Sequence, residues 1–221
     1  MAGLVRAAVP QVRKSSFPLY DTVEVGGSGS VSAQTIRLFQ NGIGALADGF
    51  TSTPKSTAET NISKNGGLPL SQSFLCQSVG VSIWHVPGTS APSSASVAYQ
   101  TGADTENLAR GGVISYSSGA LRQIFGPAIM FPAGFGIVTG QLGNDSTSST
   151  GSTDYYAGSI NNSGLAASGA RFRLNEPIIL TQGQSFAWEV EFPNAVTLMN
   201  LSDYYRIQIC LWGESYQQVT Q

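Results

Sequence analysis

Residues 185–192 read SFAWEVEF, and the bulky apolar side chains Phe186, Trp188, Val190 and Phe192 fall at every second position, with Ser185, Ala187, Glu189 and Glu191 between them. Successive side chains of a strand point to opposite faces, so a period of two gathers the first set on one side of a sheet. Residues 206–211 repeat the pattern: Ile207, Ile209 and Leu211 share one face, Arg206 and Gln208 the other. The whole region 170–213 reads as three strands separated by turn signals, among them the hairpin-like Thr181-Gln182-Gly183-Gln184. This stretch builds a sheet and carries no catalytic motif.

The rest of the chain extends the same reading. Residues 1–20 form an expected extended arm, because Pro10 and Pro18 discourage helix. A turn at Gly26-Gly27-Ser28-Gly29 leads to a strand at 35–39, followed by a long polar connection over 41–67 with a turn signal at Asn65-Gly66. Residues 74–86 make a second strand, with Val79, Val81 and Ile83 on one side and Phe74 and Trp84 on the other. Apolar residues on both faces predict a central strand, or one that also meets a neighbouring subunit. After a loop at 87–94, shorter strands are expected at 96–101 and 112–124, a further one at 135–141, and brief pairing at 155–160. Residues 143–152 read as an exposed loop and 161–169 as turns, and no amphipathic helix is predicted. About eight antiparallel strands is the jelly-roll count. The expected fold is therefore all-β: an eight-stranded antiparallel jelly-roll sandwich, one domain over 21–221 with long loops, behind the 1–20 arm.

Composition narrows the function. Only 11% of the 221 residues are charged, against roughly 25% in an ordinary soluble domain. Hydroxyl, amide and glycine surfaces suit a protein packed against copies of itself, and equally a lectin-like module. A net charge of −2 argues against phosphate neutralisation by the body of the protein. The arm differs, with Arg6, Arg13 and Lys14 and no acid before Asp21. It is a candidate contact for nucleic acid or an anionic membrane face, the plainer alternative being an ordinary disordered terminus. With neither a spanning apolar stretch of about 20 residues nor a signal-peptide pattern, the chain is expected to be made in the cytoplasm. Cys76 and Cys210 are then expected as thiols, a bridge being conceivable only if their strands are neighbours.

Catalytic and metal chemistry find little support, and neither enzyme activity nor a cofactor is expected. The single histidine, His85, is in phase with Val81 and Ile83 and reads as a rim or core residue hydrogen-bonded by the backbone; no G-x-S-x-G elbow accompanies it. One histidine and two distant cysteines cannot build a structural zinc site. The acid pairs Asp21/Glu24 and Asp104/Glu106, and Asn144/Asp145, offer oxygens for calcium without EF-hand spacing. Glu189 and Glu191 share a strand face, as glycosidase carboxylates do, but alternate with core residues and are expected to face solvent or a neighbour's arginine. In Tyr155-Tyr156 and Tyr204-Tyr205, adjacency puts one ring of each pair in the core and the other at an interface.

Four segments together carry a family likeness: QTIRLF at 34–39, ETNISKNGGLPLSQSFLCQSVGVSIW at 59–84, FRLNEPIILTQGQSFAWEVEFP at 172–193 and YRIQICLWGESYQ at 205–217. The patterns G-x-LP-x-x-x-x-F and L-x-x-PI-x-L-x-x-GQ-x-F within them resemble major capsid proteins of tailless icosahedral bacterial and archaeal viruses with upright jelly rolls, including finnlakevirus-like relatives. Many of those fuse two jelly rolls in one chain, whereas this length holds one. The resemblance implies a capsid subunit that self-assembles with copies of itself and other capsid proteins into an icosahedral shell, in the virion, over a genome or internal membrane met by the arm. It implies no catalytic residue and no small-molecule substrate. A carbohydrate- or receptor-binding jelly roll, as in a virion spike or lectin-like module, is the alternative.

Overall fold

The computed structural model describes residues 11–63, 65–69, 71–86, 95–133, 171–199, 201 and 203–219. Along the chain run β1 (Gln11–Ser16), β2 (Leu19–Gly26), β3 (Ser30–Val31), β4 (Gln34–Leu38), β5 (Gln72–Val86), helix α1 (Ala95–Gly111), β6 (Val113–Ser118) and β7 (Leu121–Pro127). A 3-10 turn (Ala128–Met130), β8 (Phe172–Leu180), β9 (Phe186–Phe192), β10 (Val196–Thr197) and β11 (Tyr204–Val219) follow. The described fold is mainly β, and its strand pairings are antiparallel.

One sheet has β11 beside β5 and β5 beside β8, with β1 and β2 both on the outer edge of β11. Ser16 pairs with Glu214 and Leu19 with Leu211, so β1 and β2 are one row interrupted at Phe17-Pro18. Pro18 has no N–H to continue the ladder. The second sheet has the order β4-β9-β6-β7, and β3 and β10 form a small ribbon. The two larger sheets share one core: Val23, Val81 and Ile207 of the first cluster with Leu38, Ile114, Trp188 and Val190 of the second. Phe125 on β7 meets Phe172 on β8 at 6.3 Å between ring centroids and stacks on Trp188 at 5.3 Å. Each fully buried side chain of that core, such as Leu38 or Val190, contributes about 1.5–3 kcal/mol relative to exposure.

The alternation in β9 and β11 holds: Phe186, Trp188, Val190 and Phe192 are buried, as are Ile207, Ile209 and Leu211. Strand β5 lies between β11 and β8, the central position that its two apolar faces predict. Phe74, expected opposite Val79, is buried with it instead. The cause is a β-bulge. The register with β11 steps from Ser78–Trp212 to Cys76–Gly213, leaving Gln77 without a partner residue and shifting the phase by one. Gly213 makes that bulge possible, since a Cβ there would lie 1.9 Å from the Leu75 carbonyl oxygen.

Two other expectations need correction. Residues 96–101, expected as strand, belong to α1. The helix buries Asp104, Thr105, Leu108 and Ala109, a helical spacing disguised because two of the four are polar. Residues 112–124, expected as a single strand, form the hairpin of β6 and β7, which turns at Gly119 with φ of 58°. The expected boundary at residue 20 falls inside β2. The expectations at 87–94, 135–141, 143–152, 155–160 and 161–169 lie outside the described residues.

The long polar connection after β4 wraps the open edge of β2. Glu24 N donates to Asp48 O at 2.8 Å and Asn61 N to Tyr20 O at 3.2 Å, while Tyr20 N donates to Asn61 Oδ1 at 2.9 Å. An edge that would otherwise recruit a foreign strand is thereby occupied. Gly49 permits the approach: its φ is +89°, and a Cβ would lie 1.8 Å from the Glu24 carbonyl oxygen.

Candidate functional site

Of the three basic residues of the arm, Arg6 lies outside the described residues, and Arg13 and Lys14 lie on β1, opposite Gln217 and Tyr216 of β11. Neighbours on a strand, they point to opposite faces. Lys14 Nζ is 2.8 Å from Glu214 Oε1. That hydrogen bond holds the Glu214 carboxyl below its ordinary value and raises the Lys14 ammonium. Part of the arm's positive charge is therefore balanced within the fold. Residues 11–16 are extended because they are laddered to β11, not because prolines leave them without a partner strand.

Several apolar side chains remain exposed. They include Leu121 and Ile124 on β7, Met130 beyond it and Ile179 on β8. Met199, Leu201 and Tyr204 are exposed beyond β10 and at the start of β11. Tyr205 is buried, so Tyr204-Tyr205 divides between surface and core as adjacency dictates; Tyr155-Tyr156 lies outside the described residues.

Glu189 and Glu191 do share the outer face of β9, but the arginines they meet belong to the same chain, not to a neighbour. Arg37 Nε on β4 donates to Glu189 Oε1 at 3.1 Å and Arg122 Nε on β7 to Oε2 at 3.2 Å. Ser117 and Ser115 of β6 donate to the same two oxygens at 3.0 and 3.2 Å. Arg122 Nη2 also reaches Glu191 Oε2 at 2.5 Å. Burial alone pushes the Glu189 carboxyl up, yet these hydroxyls and guanidinium charges outweigh it and hold the group below its ordinary value. A carboxylate so satisfied is a poor general acid, and the ladder of alternating charges acts as a structural tie across the sheet.

His85, expected to be hydrogen-bonded by the backbone, meets a side chain: its Nε2 is 2.5 Å from Asp203 Oδ2. Cys76 and Cys210 lie on adjacent strands but out of register, Cys210 facing Gly80 and Cys76 facing Gly213. Both are free thiols, and burial pushes each up to about 12, a setting of low reactivity. Of the oxygen pairs considered for calcium, Asp104 accepts from Met199 N at 2.6 Å and from Tyr205 Oη at 2.7 Å. Glu24 is bonded to Arg206 at 3.0 Å, Glu106 to Arg110 at 2.8 Å, and Asn144/Asp145 lies outside the described residues. Among the described residues no three His, Cys, Asp or Glu side chains are grouped to hold a metal ion.

The remaining carboxylate of those pairs, Asp21, has a setting that sequence reasoning misses. It points to the core face of β2 in phase with Leu19, Val23 and Val25, and is fully buried. Lys55, also fully buried, brings its Nζ to 2.9 Å from Asp21 Oδ1 and 2.6 Å from Asp48 Oδ2. The Phe39 N–H donates to Asp21 Oδ2 at 2.5 Å, and Asn41 Nδ2 donates to both oxygens of Asp48 at 3.1 and 3.2 Å. The Phe50 ring lies 5.7 Å from the ammonium. Burial pushes the Asp21 carboxyl above its ordinary value, and the Lys55 charge and the Phe39 N–H offset only part of that rise. The available signal is the alternation itself, which sets Asp21 in line with three core residues and demands a partner for it. Lys55 lies 34 residues further along, in a connection with no periodicity to reveal it.

Comparison with known proteins leaves this geometry as the ground for a functional reading: no family model, no curated protein and no solved structure matches the chain.

Proposed function

We propose that this chain is a structural virion protein, a single eight-stranded jelly roll that self-associates into an icosahedral shell. The observation that carries the reading is the strand order. Lettered along the chain, the eight principal rows are B (β1 with β2), C (β4), D (β5), E (β6), F (β7), G (β8), H (β9) and I (β11). The sheets then have the orders B-I-D-G and C-H-E-F, which supports reading them as two interleaved Greek keys folded into a sandwich, an architecture that capsid and lectin domains use. A fold does not assign a function by itself, so the reading also leans on the capsid-like sequence segments and on a surface poor in charge. The apolar side chains Leu121, Ile124, Met130, Ile179, Met199 and Leu201 supply material for side-to-side contacts. Low net charge limits repulsion among many copies, and closure of a shell multiplies modest interfaces. In this reading the arm that carries Arg6, Arg13 and Lys14 lies toward the genome or an internal membrane, with Lys14 already paired to Glu214.

The test is the size of the purified protein over a range of salt and pH. Sedimentation and electron micrographs are expected to reveal closed particles or discrete capsomers. A stable dilute monomer under every condition overturns the proposal.

A second reading, a carbohydrate- or receptor-binding jelly roll, draws on an open groove of about 650 Å³ lined by Glu24, Ser28, Ser30, Gln34, Arg37 and Asn41. Among the described residues its lining is rich in hydroxyls, amides and charges and includes no aromatic platform for a sugar face. Saturable binding in a glycan screen by a protein that never assembles would favour it.

A further inference from the structure

We propose that Lys55 and Asp21 join through an intramolecular amide bond, formed by the folded protein itself with Asp48 as the proton carrier. The inference is independent of the virion reading. It rests on three groups held together out of water: Lys55 Nζ lies 2.9 Å from Asp21 Oδ1 and 2.6 Å from Asp48 Oδ2, and the side chains of Lys55 and Asp21 have no solvent exposure. Proximity of this kind replaces an encounter between separate groups by a fixed approach, the condition under which a sluggish condensation becomes feasible.

A dry site also favours the reactive form of the pair. Moving one proton from the ammonium to the carboxylate turns two buried charges into a neutral amine and a neutral acid, the forms that burial prefers. The rise in the Asp21 pKa points the same way. The aromatic ring of Phe50 lies alongside Nζ, and the Phe39 N–H is aimed at Asp21 Oδ2.

The two aspartates are not equivalent. Asp21 is anchored on β2 and enclosed. Asp48 is on the connection, at 10% side-chain exposure, with Asn41 donating to both its oxygens. That makes Asp21 the electrophile and Asp48 the base.

The step balances without any oxidant or co-reactant. The lone pair of the neutral Lys55 amine attacks Cγ of the protonated Asp21 carboxyl and forms the N–Cγ bond. The Phe39 N–H stabilises the negative charge that develops on Oδ2, as an oxyanion donor does. Asp48 takes a proton from Nζ and passes it to Oδ1. The Cγ–Oδ1 bond then breaks, Oδ1 leaves as water, and Asp48 is again a carboxylate. The product ties β2 to the connection that wraps its edge.

Intact-mass measurement of the purified full-length protein, followed by tryptic mapping after denaturation, tests this. The expected mass is that of the sequence less one water. Trypsin is expected not to cut after Lys55 and to release peptide 15–37 joined to peptide 38–64. The Asp48→Asn protein, checked for folding by circular dichroism, is expected to regain the missing water and the cut after Lys55. A full sequence mass with normal cleavage after Lys55 overturns the proposal. Loss of water confined to a looped 38–64 peptide overturns the assignment to Asp21, since it would mark an Asp48–Lys55 bond. A folded Asp48→Asn protein that still carries the bond overturns the role of Asp48.

Discussion

Asp21 on β2 and Glu189 on β9 are both carboxylates buried on strands and both bonded to cations, yet their acidities move in opposite directions. Asp21 faces the core beside Leu19 and Val23, receives one ammonium and, besides it, only backbone N–H groups, and ends above its ordinary value. Glu189 faces the outer side of its sheet, receives two guanidinium groups and two hydroxyls, and ends below. Both lose water. What separates them is how many donors replace it, and whether those donors remain near solvent, as the exposed Arg37 and Arg122 do. Burial by itself therefore does not set the sign of an acid's shift; the ratio of desolvation to restored hydrogen bonds does. The outer network is a tie that tolerates water, and the inner one is a sealed triad in which charge is costly enough to be worth losing.

The contrast makes graded predictions. The largest effect is expected from Lys55→Met, which leaves Asp21 and Asp48 without their cation in an enclosed site. Against parent protein in which Lys55 and Asp21 are unjoined, breaking a buried ion pair by removing one partner costs about 3–5 kcal/mol, readable as a shift of the denaturation midpoint in urea; against joined protein the loss of the amide tie adds to it. A loss near zero would mean that the inner triad is no more critical than a surface pair and would break the comparison.

Gly49→Ala attacks the same triad indirectly. The new Cβ would meet the Glu24 carbonyl in a left-handed backbone conformation, pushing the adjacent Asp48 away from Lys55. A loss of about 3 kcal/mol, at the upper end of ordinary point mutations, is expected in the same measurement.

Glu189→Gln keeps the size and removes the charge, and a loss of about 1–3 kcal/mol at neutral pH is expected for hydrogen bonds to an ionised acceptor. The pH dependence sharpens the point. Because the folded Glu189 lies below its ordinary 4.5, its stabilisation is full above that value and is lost as pH falls through the folded pKa. Asp21 is raised from 3.8, so while its carboxyl is free it favours the fold at low pH, and that contribution is lost as pH rises through the folded pKa. The Glu189→Gln protein is therefore expected to show a shallower acid limb than the parent in thermal melts from pH 6 downward. An unchanged limb would assign acid sensitivity elsewhere.

Much of the sheet is legible in the residues alone. The alternation at 185–192 names the buried face of β9, and the doubly apolar 74–86 run names a central strand. Other features are legible but easily misread. Asp21 in phase with Leu19 and Val23 announces a buried acid, a signal hidden when Asp21 and Glu24 are taken together as calcium oxygens. The Ser118-Gly119 pair marks the hairpin between β6 and β7. Helix α1 hides its buried face behind Asp104 and Thr105; the Asp104 carboxylate is absorbed by tertiary partners, Met199 N and Tyr205 Oη.

By itself the sequence determined which side chains share a strand face, because the two-residue period is a steric property of each extended backbone and needs no distant information. Only the tertiary structure decided which cation meets which acid and where β5 slips its phase at Gln77. It also brought the connection after β4 against β2. Those outcomes depend on closing loops between residues far apart in sequence, a balance of chain entropy against specific contacts that no local pattern records.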